Sequence, residues 1–259
     1  MLRNRADLER SPGALRRAAA ALADLIMPPL CLACHKPLAS HDALRPRCWG
    51  KIDFIRRPLC DRLGLPMPYD TGGTMISAAA AADPPDYDRA RAVARFDGVM
   101  RELVHDLKFR DRHQGGRLLG RWLAQAGAEL LIDADVIVPV PLPRGRLIRR
   151  RFNQSAILGL EVARLARVGY APLALVRTRK TPPQVGLTRA QRRRNVAGAF
   201  AVPTERLPDI AGAKVLLVDD VITTGATVGA CARTLKRAGA SHVDVLALAI
   251  VTDSAQATP

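Results

Sequence analysis

The clearest structural pattern in the chain is Val215-Leu-Leu-Val-Asp-Asp-Val-Ile-Thr-Thr-Gly-Ala-Thr227. Its four leading apolar residues predict a buried strand that ends at the acid pair Asp219 and Asp220. A Thr-Thr-Gly turn follows, and the apolar spacing after it predicts a helix over residues 227–237. Gly225 has no Cβ, so the backbone of this turn can approach a ligand closely. The pattern therefore predicts a strand, a ligand-binding loop and a helix.

The loop contains residue types suited to a sugar phosphate. Threonine hydroxyls and the free amides of a helix N-terminus form a pocket for a phosphate. Two adjacent carboxylates suit the hydroxyls of a cis-diol, or a magnesium ion that bridges a sugar and its pyrophosphate. An acid pair of the Walker-B or receiver type is the alternative, but it does not account for the Thr-Thr-Gly-x-Thr run.

Apolar strands and amphipathic helices alternate on both sides of this unit. The predicted strands cover residues 90–96, 135–140, 173–176, 214–218 and 243–251. The predicted helices cover residues 99–109, 118–131, 154–166 and 227–237. This alternation is typical of a parallel sheet covered on both faces, so we predict an α/β fold. Ligands of such sheets bind beyond the carboxyl ends of the strands, where the acid pair would lie.

The composition indicates a globular protein with a strong positive charge. Hydrophobic residues make up 48% of the 259 residues, which is enough for a substantial core, although only 4% are aromatic. The 40 Lys and Arg exceed the 24 Asp and Glu, which gives a net charge of +16. Such a charge favours polyanionic partners such as phosphates, pyrophosphate, nucleic acid or an anionic membrane surface. An arginine-rich bias of a GC-rich genome is the alternative explanation.

The first 27 residues predict an amphipathic helix. An apolar segment, 18–27, follows several arginines, but Asp7, Glu9 and Asp24 interrupt the pattern. The segment is short for a signal peptide and far too short to span a bilayer. We therefore expect no membrane span and a cytoplasmic protein.

Four of the five cysteines lie close together in the first quarter of the chain, at Cys31, Cys34, Cys48 and Cys60. A Cys-x-x-Cys pair within an odd total indicates a metal site in a reduced compartment and argues against a disulfide framework. Four thiolates can complete a tetrahedral structural zinc site, and His35 or His41 would substitute for one ligand. The alternative is a module without metal, packed around Trp49 and Phe54. Cys231 is predicted to lie in the core, and no internal repeat is evident.

The Asp-Asp loop resembles the 5-phosphoribosyl-1-pyrophosphate (PRPP) signature of type I phosphoribosyltransferases at all thirteen positions. The resemblance implies that magnesium-PRPP binds here, with the ribose hydroxyls on the acid pair and the 5-phosphate on residues 223–227. The PRPP-binding residues it implies are Asp219, Asp220, Val221, Ile222, Thr223, Thr224, Gly225, Ala226 and Thr227.

Three further motifs, together with this loop, resemble the ComF family over residues 28–250. They are Val138-Pro-Val-Pro-Leu142, Arg151-Phe-Asn-Gln154, and the set Thr181, Gln184, Arg192, Asn195 and Phe200. The family implies a type I phosphoribosyltransferase fold with a small zinc-ribbon-like module at the N-terminus, and a link to DNA uptake in natural transformation. Its ribbon has three Cys-x-x-Cys pairs, but here Arg45 and Leu63 replace two of those cysteines.

We predict five segments from these patterns. They are an N-terminal helix (1–27), a zinc-ribbon-like module (28–68), a linker (69–87), a phosphoribosyltransferase-like domain (88–252) and a disordered tail (253–259).

Two basic regions are candidates for anion contacts. The resemblance places the loop that follows the strand 135–140 against pyrophosphate, where Arg144 and Arg146 would neutralise the leaving group. A solvated arginine face is the alternative there. The long basic connection 177–200 would be a lid that closes over PRPP, or a contact for a nucleic-acid backbone.

Two functions follow from these observations. In the first, Asp219, Asp220, Arg144 and Arg146 catalyse transfer of a phosphoribosyl group to an unidentified acceptor. Glutamine is not expected as its nitrogen source, because no terminal catalytic cysteine is present. In the second, the chain is a non-enzymatic cytoplasmic adaptor that binds single-stranded DNA, with competence or recombination proteins as partners.

Overall fold

A computed structural model describes residues 28–109, 115–143, 145, 147, 152–179, 181, 182 and 188–252. The helix predicted over 1–27 and the tail predicted over 253–259 lie outside the described residues. Within the described part, every helix is too short or too polar to cross a lipid bilayer.

Five parallel strands form the central sheet, in the order β1-β7-β6-β2-β3. They are β1 (Ala90–Arg95), β2 (Val136–Pro139), β3 (Gly169–Tyr170), β6 (Lys214–Ile222) and β7 (His242–Ile250). Two short strands, β4 (Val176–Arg177) and β5 (Phe200–Ala201), form a separate antiparallel pair. The predicted α/β fold with a parallel central sheet is confirmed.

Helices cover both faces of the sheet. Successive residues of the central strand β6 therefore alternate between two apolar clusters, one on each face. Val215 and Leu217 face helix α8 (Ala226–Arg237), whereas Leu216 and Val218 face the opposite cluster. That second cluster contains residues of helices α3 (Gly98–Phe109), α4 (Gly116–Ala126), α5 (Ala128–Asp133) and α6 (Gln154–Ala166). The described residues also form helices α1 (Pro46–Trp49), α2 (Ala78–Ala82) and α7 (Arg189–Val196), and a 3₁₀-helix (Thr204–Asp209).

Three predicted elements differ from the structure. The helix predicted over 118–131 is broken at Gly127, where an added Cβ would lie 2.8 Å from Leu246 of β7. Strand β6 continues to Ile222 because residues beyond the predicted end at 218 still pair with β7. The prediction that residues 173–176 form a strand of the central sheet is wrong. The strand β3 forms that edge of the sheet, and β4 pairs with β5 outside it.

The helix α6 has the predicted bounds, but its predicted buried face is only partly correct. Leu158 and Val162 are fully buried, whereas Leu165 is 38% exposed. Helix α8 buries Val228, Cys231 and Leu235, as predicted.

The N-terminal module consists of two successive knuckles, which we define as residues 29–49 and 58–82. Each begins with a short antiparallel bridge, Leu30 with Pro37 in the first knuckle and Leu59 with Pro66 in the second. The second knuckle includes α2, so it extends into the segment 69–87 that the sequence predicts as a linker. Aromatic contacts attach the module to the helical layer, through the rings of Trp49, Phe54 and Trp122.

Candidate functional site

The acid pair lies at the carboxyl end of β6, between the ends of β7 and β2. Asp219 is 8% exposed, and its Oδ1 accepts hydrogen bonds from Ser155 Oγ at 3.1 Å and from the Asp220 amide at 2.9 Å. Burial and the neighbouring Asp220 carboxylate raise the pKa of Asp219 to about 7. The site therefore holds a buried acid whose charge is only partly compensated by the described residues.

Lys108 provides a cation next to this pair. Its Nζ lies 2.8 Å from Oδ2 of Asp220, and both side chains are largely buried. Helix α3 carries Lys108 near its last turn, directly after the buried Leu107. Sequence analysis missed Lys108, because no motif places the end of this helix beside β6.

The loop after the acid pair has the conformation that the sequence predicts. Gly225 has a φ of +74°, a left-handed conformation that residues with a Cβ rarely adopt, and helix α8 begins at the next residue. Oγ1 of Thr224 is buried without a hydrogen-bond partner among the described residues. A free hydroxyl at the N-terminus of a twelve-residue helix is suited to an anion such as a phosphate.

A cavity of about 390 Å³, the acid-pair cavity, is lined by the acid pair and Lys108, whereas Thr224 and Gly225 line a neighbouring cavity. The acid-pair cavity brings together the acid pair, Lys108, the loop 140–143 that follows β2, and residues of the connection after β4. The loop is fixed by hydrogen bonds from the Val140 amide to Val218 O at 2.9 Å and from Asn153 Nδ2 to Val140 O at 3.0 Å. Cationic and hydroxyl side chains from the remaining walls are Arg177, Thr181, Arg192, Thr223 and Thr227.

A second cavity of about 480 Å³ lies on the other side of the same loop. It shares Thr223 and Arg192 with the acid-pair cavity, and Leu63 and Leu65 of the second knuckle form part of its wall. The N-terminal module therefore borders the ligand-binding loop.

The predicted anion contacts Arg144 and Arg146 lie outside the described residues. Of that loop, residues 141–143 are described, and they line the acid-pair cavity. Asn153 of the Arg-Phe-Asn-Gln motif caps α6, with its side-chain oxygen accepting from the Ser155 amide at 3.1 Å. The motif thus also positions Ser155, the hydroxyl donor to Asp219, which sequence analysis did not identify.

The described part of the basic connection 177–200 is built around α7. A capping box between Thr188 and Gln191 begins this helix, and Arg193 contacts Asp83 at 2.6 Å. Arg179 donates to the backbone oxygens of Asn195 and Ala197 at 3.0 and 2.8 Å. Lys180, residues 183–187 and the Arg189 side chain lie outside the described residues.

Three of the four cysteines predicted as metal ligands lie together. The sulfur atoms of Cys31, Cys34 and Cys48 are within 4.8 Å of one another, and the Arg45 amide donates to Cys31 Sγ at 3.3 Å. The backbone N–H of Lys36 lowers the pKa of the Cys34 thiol to about 7, whereas burial raises that of Cys48 to about 11. Thiolates at this spacing suit a zinc ion.

The fourth predicted ligand, Cys60, is not part of this group. It lies in the second knuckle, is fully buried, and its Sγ accepts the Ser77 amide at 3.3 Å. The structure therefore supports a three-thiolate site in the first knuckle and places Cys60 elsewhere.

Comparisons with known proteins agree with this two-part architecture. Residues 22–80 match the family model "Double zinc ribbon domain", and residues 153–258 match "Phosphoribosyl transferase domain". The chain is 34% identical to "DNA utilization protein YhgH" of Escherichia coli K12 over 231 residues, covering 86% of this chain and 98% of that protein. It is 29% identical over 170 residues to "Competence protein F" of Haemophilus influenzae, covering 64% and 74% of the two chains.

Among solved structures, a glutamine phosphoribosylpyrophosphate amidotransferase from B. subtilis is 23% identical. The match covers 55% of this chain and 30% of that chain, with a TM-score of 0.38.

Proposed function

The chain belongs to the ComF family, and we propose that it binds magnesium-PRPP at the loop 219–227 and transfers the phosphoribosyl group to an acceptor. The chain matches a double zinc ribbon model and a phosphoribosyl transferase model, and it is 34% identical to a DNA utilization protein over most of its length. The supporting observation is the acid-pair cavity, where two carboxylates, a helix N-terminus and a lysine meet at the carboxyl edge of the sheet.

The 5-phosphate of PRPP would bind at the start of α8. Thr224 Oγ1 and the backbone amides there offer donors, and the positive end of the helix dipole favours an anion. The ribose would then lie over the acid pair, since Asp219 and Asp220 directly precede this loop. Carboxylate oxygens at that position fit the ribose hydroxyls and a magnesium ion. Magnesium, when bound, would neutralise part of the pyrophosphate charge.

The pyrophosphate would extend towards the loop 140–143. Lys108, Arg177 and Arg192 line that part of the cavity and would stabilise the negative charge of the leaving group. Arg144 and Arg146 remain predicted contributors from the same loop.

Transfer breaks the bond from the anomeric carbon to the pyrophosphate oxygen and forms a bond to a nucleophilic atom of the acceptor. Positive charge develops on the ribose during this step, and the ionised acid pair beneath the ring would stabilise it. Ionisation of Asp219 is therefore required, and its raised pKa of about 7 predicts stronger PRPP binding at pH 8 than at pH 6. The basic connection 177–200 would close over the ligand and exclude water.

Calorimetric titration with PRPP, with and without magnesium, tests this proposal. The wild type should show saturable, magnesium-dependent binding that an Asp219→Ala/Asp220→Ala variant loses. Asp209→Asn, which alters a surface acid paired with Arg206, is the matched control and should bind as the wild type does. A folded wild type that does not bind PRPP would contradict the proposal.

Single-stranded DNA binding is the second candidate function. The relatives' names, "DNA utilization protein" and "Competence protein F", and the net charge of +16 favour it. Exposed arginines on α7, such as Arg193 and Arg194, would contact phosphates without sequence preference. None of the five cysteines is disulfide-bonded.

Salt dependence separates the two candidates. DNA affinity that falls steeply with salt, and that the Asp219→Ala/Asp220→Ala variant retains, would support an adaptor. PRPP affinity should depend on magnesium and on the acid pair, with a weaker dependence on salt.

A further inference from the structure

We propose that the chain binds a single zinc ion, in the first knuckle, and that the second knuckle is a metal-free copy of the first. In this copy, a buried arginine and an aspartate take over the role of the metal. The inference concerns the N-terminal module and is independent of PRPP binding.

The first halves of the two knuckles have the same backbone hydrogen bonds, displaced by 29 positions from Cys31 to Cys60. In each, the first cysteine amide donates to the residue five positions on, Lys36 O at 2.9 Å and Leu65 O at 2.8 Å. The cysteine oxygen in turn accepts an amide four positions on, from a residue with positive φ, His35 or Gly64. The bridges that open the knuckles obey the same displacement.

The second halves also correspond, displaced by 32 positions from Arg45 to Ser77. The amides of these two residues donate to Cys31 Sγ and Cys60 Sγ, each at 3.3 Å. A short helix follows in each case, α1 in the first knuckle and α2 in the second. The two knuckles are therefore structural copies.

This correspondence shows what occupies each metal-ligand position. The first knuckle has Cys31, Cys34, Arg45 and Cys48 at its four positions. The second has Cys60, Leu63, Ser77 and Ala80 at the equivalent positions. Leucine and alanine offer no ligand atom, and Ser77 caps α2 by accepting the Ala80 amide at 3.3 Å. A single thiolate is too few for a zinc site, which takes four ligands, whereas the first knuckle supplies three thiolates and leaves one position for a further donor such as a water molecule.

Asp61 and Arg91 connect the two halves of the second knuckle instead. Asp61 Oδ2 accepts the Met75 amide at 2.8 Å, and Asp61 Oδ1 accepts from Arg91 Nη2 at 2.9 Å. Arg91 is 3% exposed, and it also donates to Asp61 O at 3.0 Å and to Glu129. The position equivalent to Asp61 in the first knuckle is Leu32, which cannot make these bonds. This network, in which Arg91 is buried and Asp61 and Glu129 are partly exposed, holds the loop 60–77 closed, as zinc would in the first knuckle.

Metal analysis of the purified full-length chain tests the proposal, with Cys48→Ser and Cys60→Ser as a matched pair. The wild type and Cys60→Ser should each contain one zinc ion per chain, and Cys48→Ser should lose it. Cobalt replacing zinc in the wild type should give thiolate absorption that Cys60→Ser leaves unchanged, which tests the ligand set even if Cys48→Ser does not fold. Two zinc ions per wild-type chain, none, or a loss of zinc in Cys60→Ser would each overturn the proposal.

Restoring the ligands tests whether the second knuckle is a copy. A Leu63→Cys/Ser77→Cys/Ala80→Cys variant places cysteines at the equivalent positions beside Cys60. It should bind two zinc ions per chain, twice the wild-type content. A folded variant with unchanged zinc content would show that the two knuckles are not equivalent.

Discussion

The carboxyl edge of the sheet and the second knuckle both bury charged groups, but they stabilise them differently. At the sheet edge, Asp219 is buried with a hydroxyl and an amide as its donors, and its pKa is raised to about 7. In the second knuckle, Arg91 is buried more completely and donates to Asp61 and Glu129 as well as to a backbone oxygen. The sheet edge leaves polar groups available to a ligand, whereas in the second knuckle Arg91 has acceptors for its donor groups.

This difference separates a binding site from a scaffold. A buried acid without a full set of partners costs stability, and a ligand with a cation removes that cost when it binds. A buried ion pair whose groups are hydrogen-bonded gains nothing from a ligand, and removing one partner is strongly destabilising because it leaves the other charge buried and unpaired. Substitutions in the two regions should therefore change different properties.

Replacing Arg91 should have the largest effect on stability. Arg91→Met leaves Asp61 and Glu129 without their shared cation, and we expect a loss of about 2–4 kcal/mol in the free energy of unfolding. Chemical denaturation would measure the loss, with zinc content unchanged. The control Arg164→Met breaks an exposed pair with Glu161 and should cost less than about 1 kcal/mol. A small effect at Arg91 would remove the distinction between the two regions.

Replacing Lys108 should weaken ligand binding at the acid-pair cavity, and the loss of its ion pair with Asp220 should also lower stability. Lys108→Met removes the cation next to Asp220 in the acid-pair cavity, and we expect PRPP binding to weaken by roughly 10-fold, or about 1.4 kcal/mol. Lys236→Met, which removes a similar pair with Asp88 at 2.9 Å away from the cavity, is the matched control. Equal or tighter PRPP binding in Lys108→Met would show that the lysine does not contact the ligand.

Replacing Asp219 should change stability by a smaller amount than replacing Arg91, and it should raise stability while it removes binding. The folded-state pKa of about 7 lies above the ordinary value of 3.8, so wild-type stability falls as pH rises through this interval. Asp219→Asn keeps an oxygen for Ser155 and removes the charge. It should therefore raise the free energy of unfolding at pH 8 by on the order of 1 kcal/mol, with little change at pH 4.

The same variant should abolish magnesium-dependent PRPP binding. Thermal unfolding at the two pH values would measure the stability change, and Asp209→Asn should show no comparable pH dependence. If Asp219→Asn were less stable than the wild type at pH 8, this would contradict the claim that the buried charge of Asp219 lowers the stability of the folded chain.

The sheet and its ligand-binding loop could be predicted from the sequence because each strand–loop–helix unit is local. The apolar run before Asp219 and the glycine at 225 specify a strand end and a tight turn without information from the rest of the chain. The contact between Lys108 and Asp220 could not be predicted, since it depends on where α3 ends relative to a strand more than a hundred residues away.

The two knuckles show the opposite case. The prediction that the chain has no internal repeat is wrong, because Pro-Leu-Cys occurs at 29–31 and again at 58–60, each followed by a proline, at 37 and 66. Cys31 and Cys60 are the single pair of cysteines that the copies share, so the four cysteines resemble one site. The backbone hydrogen bonds reveal the correspondence, and with it the reason why Cys60 lies apart from the other three.

One diffraction experiment tests the central claim that the ligand site and the scaffold are separate. Crystals of the full chain with zinc, soaked in PRPP and magnesium, would be measured at the zinc absorption edge. The account predicts one anomalous peak, among Cys31, Cys34 and Cys48, and density for PRPP with its 5-phosphate at residues 223–227. A second zinc peak at Cys60, or PRPP bound away from Asp219 and Asp220, would contradict it.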